Sequence, residues 1–304
     1  MKFILQRLAI AVPTLFVVIA ATFFMMRMAP GGPFDGERKL PAAILKNIEA
    51  KYGLDRSLPE QFVRYVGGVV RGDFGPSLKY TDKSVGDFIR DGLPVSATIG
   101  LSSLLLGLLI GSLIGILAAL RQGGVADHGL MIVSVIGVCV PTFVTAPLLV
   151  LVFASTLGWL PTAGLAAGTR SYVLPVVVLA LPQIAIISRL IRSGMIEVLR
   201  SNYVRTARAR GLPEHRIILG HALRAAAIPL VGYLGPACAG LITGSLVVEK
   251  IFGVPGLGKS FIVGALQRDY PVVMGIVIVY AVLILLLNLL SDLIHCVLDP
   301  QVRQ

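Results

Sequence analysis

The loop GVPGLGKS at residues 253–260 has the composition of a phosphate-binding site. It matches the pattern G-x-x-x-x-G-K-[ST], in which backbone N–H groups and a lysine, here Lys259, hold nucleotide phosphates. Such a loop needs a preceding strand of a parallel sheet and a following helix whose N-terminus faces the phosphate. Only 21 residues, 249–269, separate two strongly apolar stretches here. We therefore interpret the motif as a tight turn between membrane helices and expect no nucleotide to bind there.

Other reactive side chains form no recognisable constellation. His215 and His221 are six residues apart, which does not place them on one face of a helix. The chain contains neither H-E-x-x-H nor G-x-S-x-G, the motifs of zinc proteases and serine hydrolases. Cys139, Cys238 and Cys296 lie in apolar surroundings without metal-ligand spacing, so neither a disulfide framework nor a zinc site is expected. The sequence thus predicts no enzyme and no metal or cofactor bound by this chain.

The composition indicates which elements must carry any function. Of 304 residues, 56% are hydrophobic and only 14% are charged, against about 25% charged in soluble domains. This excludes a water-soluble domain and a disordered chain. The net charge of +11 could favour nucleic acid, but the basic residues sort mainly by side of a membrane, so we expect no nucleic-acid partner.

Six stretches without Asp, Glu, Lys or Arg are long and apolar enough to cross a bilayer, which takes about 20 residues. Only helices satisfy their backbone groups in lipid over such a length. We therefore predict an all-α integral membrane protein with six transmembrane helices. The first stretch could be a signal peptide, but its apolar run is longer than is usual and favours a retained anchor. The stretches are 8–26, 92–120, 130–157, 171–188, 225–248 and 270–291.

The distribution of arginine predicts the orientation. Residues 189–224 contain eight arginines against Glu197 and Glu214, and such loops stay in the cytoplasm. Both termini are then cytoplasmic and residues 29–97 are outside. The outer segment has two short helical patterns, one ending at Gly53 and one starting at Pro59. It is either a small cap on the membrane face or a docking surface for an external partner.

The apolar stretches contain no charged group that could couple transport to an ion gradient, so the energy for any pumping would enter from outside the bilayer. Small residues four apart share a helix face and allow close packing of helices. Paired prolines add kink sites in three helices. These features fit ordinary packing or helices that rock about a pathway. The glycines are Gly107, Gly111 and Gly115 in the second stretch and Gly240 and Gly244 in the fifth.

The basic segment 197–229 has the pattern of two helices separated by a turn. Gly211 predicts a helix end and Pro213 a new start. Small residues near the turn, flanked by arginines, could enter a groove on a partner and pair with carboxylates. The alternative is a basic loop that touches anionic lipid. The ordered pattern favours docking to a partner.

At these residues the chain resembles a known family. YVRTARARGL and HALRAAAIPL resemble the EAA loop of bacterial binding-protein-dependent ABC transporter permeases, in the form of the peptide/nickel group. VEKIFGVPGLGKSFIVGALQRDYP, at 248–271, is similar to a second signature of that group, which accounts for the apparent phosphate loop. FFMMRMAPGGPFDGERKLP, NIEAKYGL, RGDFGPS and LDPQVR resemble its oligopeptide branch. Two departures, Arg205–Thr206–Ala207 in place of Glu–Ala–Ala and a late Pro229, are familiar in the peptide branch.

The resemblance implies the type I ABC importer permease fold. It implies a first helix within 1–28, a periplasmic segment 29–97, and a five-helix core 98–304 whose cytoplasmic coupling loop is 193–227. The coupling helix would extend from Tyr203 to Leu212. The residues implied in ATPase coupling are Glu197, Tyr203, Arg205, Thr206, Ala207, Ala209, Gly211, Leu212 and Pro213.

The resemblance also implies partners and a location. The chain would pair with a homologous second permease, two ATPase subunits that bind ATP and Mg²⁺, and a periplasmic peptide-binding protein. It would pass oligopeptides through the lipid bilayer of the bacterial inner membrane. Dipeptides, murein peptides, glutathione and nickel are alternative cargoes within the family. A gradient-driven carrier is the alternative outside it.

Overall fold

A computed structural model describes residues 2–28, 53–244 and 246–298, with side chains described for 7–28, 53–244 and 246–296. The chain divides into two compact units. The first comprises Met1–Val95 and Pro255–Leu285, and the second comprises Ser96–Val254 and Leu286–Gln304. The described residues form no strand ladder, and one isolated antiparallel bridge pairs Pro76 with Ser84.

Helices account for most of the described chain. Long apolar helices alternate with short ones at their ends. In chain order they are α1 Lys2–Met28, α2 Leu58–Val70, α3 Val85–Leu120, α4 Val125–Cys139, α5 Thr142–Leu149 with a π-helical continuation Val150–Thr156, α6 Arg170–Leu199, α7 Asn202–Ala209, α8 Glu214–Arg216 with a π-helical continuation Ile217–Ala222, α9 Leu223–Ala226, α10 Ile228–Ile242, α11 Leu246–Ile251, α12 Leu257–Gln267 and α13 Tyr270–Leu298.

The long helices confirm the predicted all-α membrane architecture. Five of them are long and apolar enough to cross a membrane, and the bent pair α4 and α5 makes a sixth if it is counted as one span. The span expected over 130–157, with kink sites at Pro141 and Pro147, is not one helix, because the chain breaks at Pro141 and bends there by 100°. Val140 is extended, with φ −88° and ψ 116°. The ring of Pro141 disfavours a helical conformation at the preceding residue, which explains where the helix breaks.

Helix α6 is the centre of the second unit. Its residues Ile187, Ile191 and Met195 are fully buried and form a core with Ala222 and Ala226 of the following segment. Pro175 and Pro182 lie inside α6 and do not interrupt it. The helix that leads into the basic segment is therefore rigidly packed at its C-terminal half.

The glycines of α3 lie where its backbone approaches α6. A Cβ atom at Gly111 would lie 2.9 Å from the Ile184 carbonyl oxygen, and one at Gly115 would lie 2.6 Å from the Ser188 carbonyl oxygen. At Gly107 it would lie 2.6 Å from the Gln183 Cβ. Only glycine fits at these three positions, because real Cβ atoms do not approach other atoms so closely.

The expected glycine pair of the fifth stretch is not found. Gly244 lies beyond the end of α10 with φ +89°, so it does not share a helix face with Gly240. A Cβ at Gly240 would contact nothing within 4 Å in the described chain. Helix α10 ends at Ile242, two residues before Gly244.

Replacing Gly115 with Ala should lower the free energy of unfolding by about 1–3 kcal/mol, because the added methyl group overpacks the contact with α6. Gly129→Ala is the matched control, since Gly129 lies in helix α4 with nothing within 4 Å of its Cβ position. That variant should stabilise the protein by up to about 1 kcal/mol through helix propensity. Thermal unfolding of the purified protein in lipid nanodiscs measures both. Equal shifts would contradict the close approach.

The first unit is built around α1, α2 and the start of α13. Phe23, Tyr270 and Met274 form a buried cluster with Phe62 and Tyr65 packed against it. Helix α2 begins at Leu58 with Pro59 in its first turn, as the sequence predicts. The other short helix expected in the outer segment lies outside the described residues, except for its final glycine, Gly53, which has φ +66°.

Candidate functional site

The basic segment folds into a helical hairpin, which we define as residues 201–226. Ser201 caps the first helix, α7, and its Oγ accepts a hydrogen bond from the Val204 N–H at 3.4 Å. The helix ends before Gly211, which has φ +73°. The Gly211 N–H donates to the Arg208 carbonyl at 2.9 Å, and Pro213 precedes the next helical turn. The predicted stop and restart are therefore found, although α7 covers 202–209 and not 203–212.

An apolar face holds the two arms of the hairpin together. Val204 and Ile217 are fully buried and pack with Ala207, whose exposed fraction is 7%. Val198 and Leu212 cover this cluster. Two of the residues implied in docking, Ala207 and Leu212, therefore pack inside the hairpin. Small or apolar side chains suit this contact between the arms, because burying an unpaired polar group there would cost free energy.

The opposite face of the hairpin is exposed and basic. Thr206 lies on it, and its Oγ1 donates to the Asn202 carbonyl oxygen at 2.9 Å. The Tyr203 hydroxyl forms a 2.6 Å hydrogen bond with Nδ1 of His221, which joins the two arms at the surface. The exposed residues among those predicted are Glu197, Tyr203, Arg205, Thr206, Ala209, Gly211 and Pro213.

Two side-chain contacts at or next to the hairpin, one of them an ion pair, were not predicted. Arg208 Nε and Nη2 donate to the two carboxylate oxygens of Glu214 at 2.7 and 3.2 Å. This hydrogen bonding lowers the pKa of Glu214 below its ordinary value. Arg200 Nη2 donates to Gln122 Oε1 at 3.0 Å. The Arg208–Glu214 separation of six residues matches no helical pairing rule, so the pair depends on the turn between them.

A buried ion pair ties α4 to α6 within the second unit. Arg192 Nε and Nη2 donate to Asp127 Oδ1 and Oδ2 at 2.6 and 2.7 Å, and the side chain of Asp127 is 2% exposed. The Gly123 N–H donates to Asp127 at 2.9 Å. Farther along the same helices, the hydroxyls of Ser134 and Ser188 lie 2.6 Å apart. Sequence reasoning missed this pair because 65 residues separate its members.

The apparent phosphate loop does not have the required surroundings. The residues before it form helix α11, Leu246–Ile251, and not a strand. Gly253 makes a left-handed turn with φ +62°, and Leu257 and Gly258 are buried. A phosphate cradle requires exposed backbone N–H groups, so this geometry supports the interpretation of a turn. Among the described residues, no group of three His, Cys, Asp or Glu side chains could hold a metal ion.

Sequence comparisons cover the whole chain. Residues 111–304 match the family model described as "Binding-protein-dependent transport system inner membrane component", and residues 1–100 match its N-terminal companion. The chain is 49% identical over 304 residues to the oligopeptide transport system permease protein OppB of Salmonella typhimurium, covering 100% of this chain and 99% of that protein. It is 40% identical over 302 residues to the dipeptide permease protein DppB of Bacillus subtilis, covering 99% and 98%.

A solved structure shows the same fold. It is described as inward-facing conformations of the MetNI methionine ABC transporter. The match has a TM-score of 0.58 and 17% sequence identity, and it covers 70% of this chain and 96% of that chain. The predicted ABC importer permease fold is thereby confirmed. The chain belongs to the family of inner membrane components of binding-protein-dependent transport systems.

Proposed function

We propose that this chain is a permease subunit of an ATP-driven importer that takes up oligopeptides across the bacterial inner membrane. The observation that carries the proposal is the 49% identity over all 304 residues to an oligopeptide permease protein. Identity to the dipeptide permease protein is lower, at 40%, so dipeptides are the second candidate. The chain itself is a transport subunit and not an enzyme, and ATP and Mg²⁺ are bound by its partner ATPases.

In this proposal the hairpin transmits the motion of the ATPases. Its buried cluster around Val204 and Ile217 makes it a stiff unit, and its outer face presents Arg205, Thr206 and Ala209. Arginine at the surface can pair with carboxylates of an ATPase groove. Glu197 would add a contact of opposite sign at the end of α6. Because α6 is continuous from Arg170 to Leu199, displacement of the hairpin would move that membrane helix.

The proposed arrangement also assigns sides of the membrane. The eight arginines between 189 and 224 support a cytoplasmic hairpin. With six spans, both termini are then cytoplasmic and residues 29–97 and 249–269 face the periplasm. There they would meet the peptide-binding protein, while a homologous second permease would complete the pathway.

A reporter active only in the cytoplasm, fused at Ala209, tests this orientation. We expect activity at Ala209 and none at Gly72, which lies in the proposed periplasmic segment. Activity with the opposite distribution would overturn the coupling role, because ATPases could not reach the hairpin.

Uptake by the reconstituted complex tests the function. The chain would be purified with a second permease and two ATPases encoded beside it and placed in liposomes with the binding protein outside. We expect accumulation of labelled oligopeptide that requires internal ATP and Mg²⁺, and none with this chain alone. Uptake by the chain alone, driven by an ion gradient, would contradict the proposal. Stronger competition by dipeptides than by longer peptides would favour the second candidate.

A further inference from the structure

The first unit contains a cavity of about 370 Å³ that no part of the mechanism above uses. The end of α1, helix α2, the loop 73–78 and the start of α13 surround it. Phe23, Phe74 and Met274 provide an apolar wall. The volume lies within the range of small-molecule sites, about 300–1,000 Å³.

Three buried polar atoms in the lining have no hydrogen-bond partner in the described chain. They are Arg27 Nε, Gln61 Oε1 and the Tyr65 hydroxyl. Buried polar groups in proteins are almost always paired, and these three unpaired atoms belong to residues that line one cavity. The exposed fraction of Gln61 is 8%.

The orientation of the Gln61 amide is determined by its own contacts. Its Nε2 donates to the Leu54 carbonyl at 3.1 Å and to the Arg56 carbonyl at 2.7 Å. The amide oxygen is therefore the end that remains available as an acceptor. Burial also raises the pKa of Tyr65 well above its ordinary value. Its hydroxyl consequently stays protonated and can act as a donor.

These groups specify the chemistry of the ligand. Arg27 and Tyr65 offer donors to an anionic acceptor, and Gln61 offers an acceptor to an N–H group. Arg64 also lines the cavity and adds a second positive charge. The lining contains one carboxylate, Asp73, which accepts a hydrogen bond from the Gly75 N–H at 2.9 Å. The lining therefore has two positive charges and one negative charge. A carboxylate with an adjacent N–H and an apolar side chain satisfies all of these groups, and the last residue of a peptide has this composition.

We propose that this cavity is a subsite for the C-terminal carboxylate of the transported peptide. The inference rests on the proposed function, which places the end of α1 at the periplasmic side, where peptide is released from its binding protein. In this subsite Arg27 and Tyr65 bind the carboxylate, Gln61 accepts the hydrogen of the last peptide N–H, and the apolar wall contacts the last side chain.

Equilibrium binding of two probes tests the subsite. The complete complex in lipid nanodiscs, without the binding protein, is titrated with radiolabelled tri-leucine and with tri-leucine amide. We expect the free acid to bind at least tenfold more tightly, because a hydrogen bond to a charged group is worth about a factor of ten or more. Equal binding of the two probes would overturn the proposal.

Tyr65→Phe removes one donor and keeps the ring, so the fold is retained. This variant should bind the free acid about tenfold more weakly and the amide unchanged. Tyr172→Phe, which removes a hydroxyl in the second unit, is the matched control and should bind both probes like the unmodified complex. Discrimination between acid and amide that is undiminished in Tyr65→Phe would overturn the subsite, as would equal losses of acid binding in Tyr65→Phe and Tyr172→Phe.

The same preparation separates this inference from the proposed function. A complex that imports peptide when the binding protein and ATP are added, yet does not discriminate acid from amide, rejects only the subsite. A complex that imports no peptide rejects the function itself.

Discussion

Replacing Gly211 with Val is expected to reduce ATP-driven uptake at least tenfold while the complex still hydrolyses ATP. Gly211 has φ +73°, and a side chain there would contact nothing within 4 Å. The effect therefore comes from the backbone. A left-handed conformation costs non-glycine residues about 1–2 kcal/mol, and a branched Cβ makes it worse. The turn after α7 directs the chain into the second arm of the hairpin. A distorted turn in the Val variant should therefore displace the face that docks on the ATPase.

The control for this prediction is Gly211→Asn at the same position. Asparagine tolerates the left-handed region better than other residues, so uptake should remain close to normal. Uptake and ATP hydrolysis are measured in the same proteoliposomes. Normal uptake by the Val variant would show that the turn does not need its left-handed glycine for coupling.

Replacing Arg192 with Ala should destabilise the second unit. It leaves the Asp127 carboxylate, 2% exposed, without its bidentate partner. Removal of one member of a fully buried ion pair typically costs about 3–5 kcal/mol, and the cost here should be smaller because the Arg192 side chain is 29% exposed. We expect a marked fall in the melting temperature of the purified complex and little assembled protein in the membrane. The double variant Asp127→Asn, Arg192→Gln should be less damaging, because no unpaired charge is then buried.

The exposed pair in the hairpin provides the matched comparison. Arg208 and Glu214 have nearly the same bidentate geometry, but their side chains are 46% and 59% exposed. Water already solvates both groups, so Arg208→Ala should leave the melting temperature nearly unchanged. Similar melting temperatures for Arg192→Ala and Arg208→Ala would contradict the structural role of the buried pair.

Features that depend on a few neighbouring residues could be predicted from the sequence. Charge-free runs of about the length that a bilayer requires identified the membrane helices, because desolvation of charged groups is costly at any point of such a run. Gly211 and Pro213 identified the turn of the hairpin, since glycine permits a left-handed backbone and proline fixes its own φ. The family resemblance rested on motifs of the same local kind.

Other features followed from contacts that no local pattern encodes. Pro141 was predicted as a kink site within one membrane helix, but its local pattern does not encode a bend as large as 100°. Ala207 has the composition of a docking tip, yet it packs against Ile217 across the hairpin. Gly240 and Gly244 have the spacing of a packing face, but the helix ends between them.

The amino-acid sequence by itself determined that this is a multi-helix membrane permease with a basic hairpin, because hydropathy and backbone restriction act within one helix or turn. Only the tertiary structure decided that Asp127 pairs with Arg192 and that Arg27, Gln61 and Tyr65 line one cavity. Asp127 is far from Arg192 along the chain, as Arg27 is from Gln61 and Tyr65, and the interaction energy of such groups depends on distance and burial, which are properties of the folded protein.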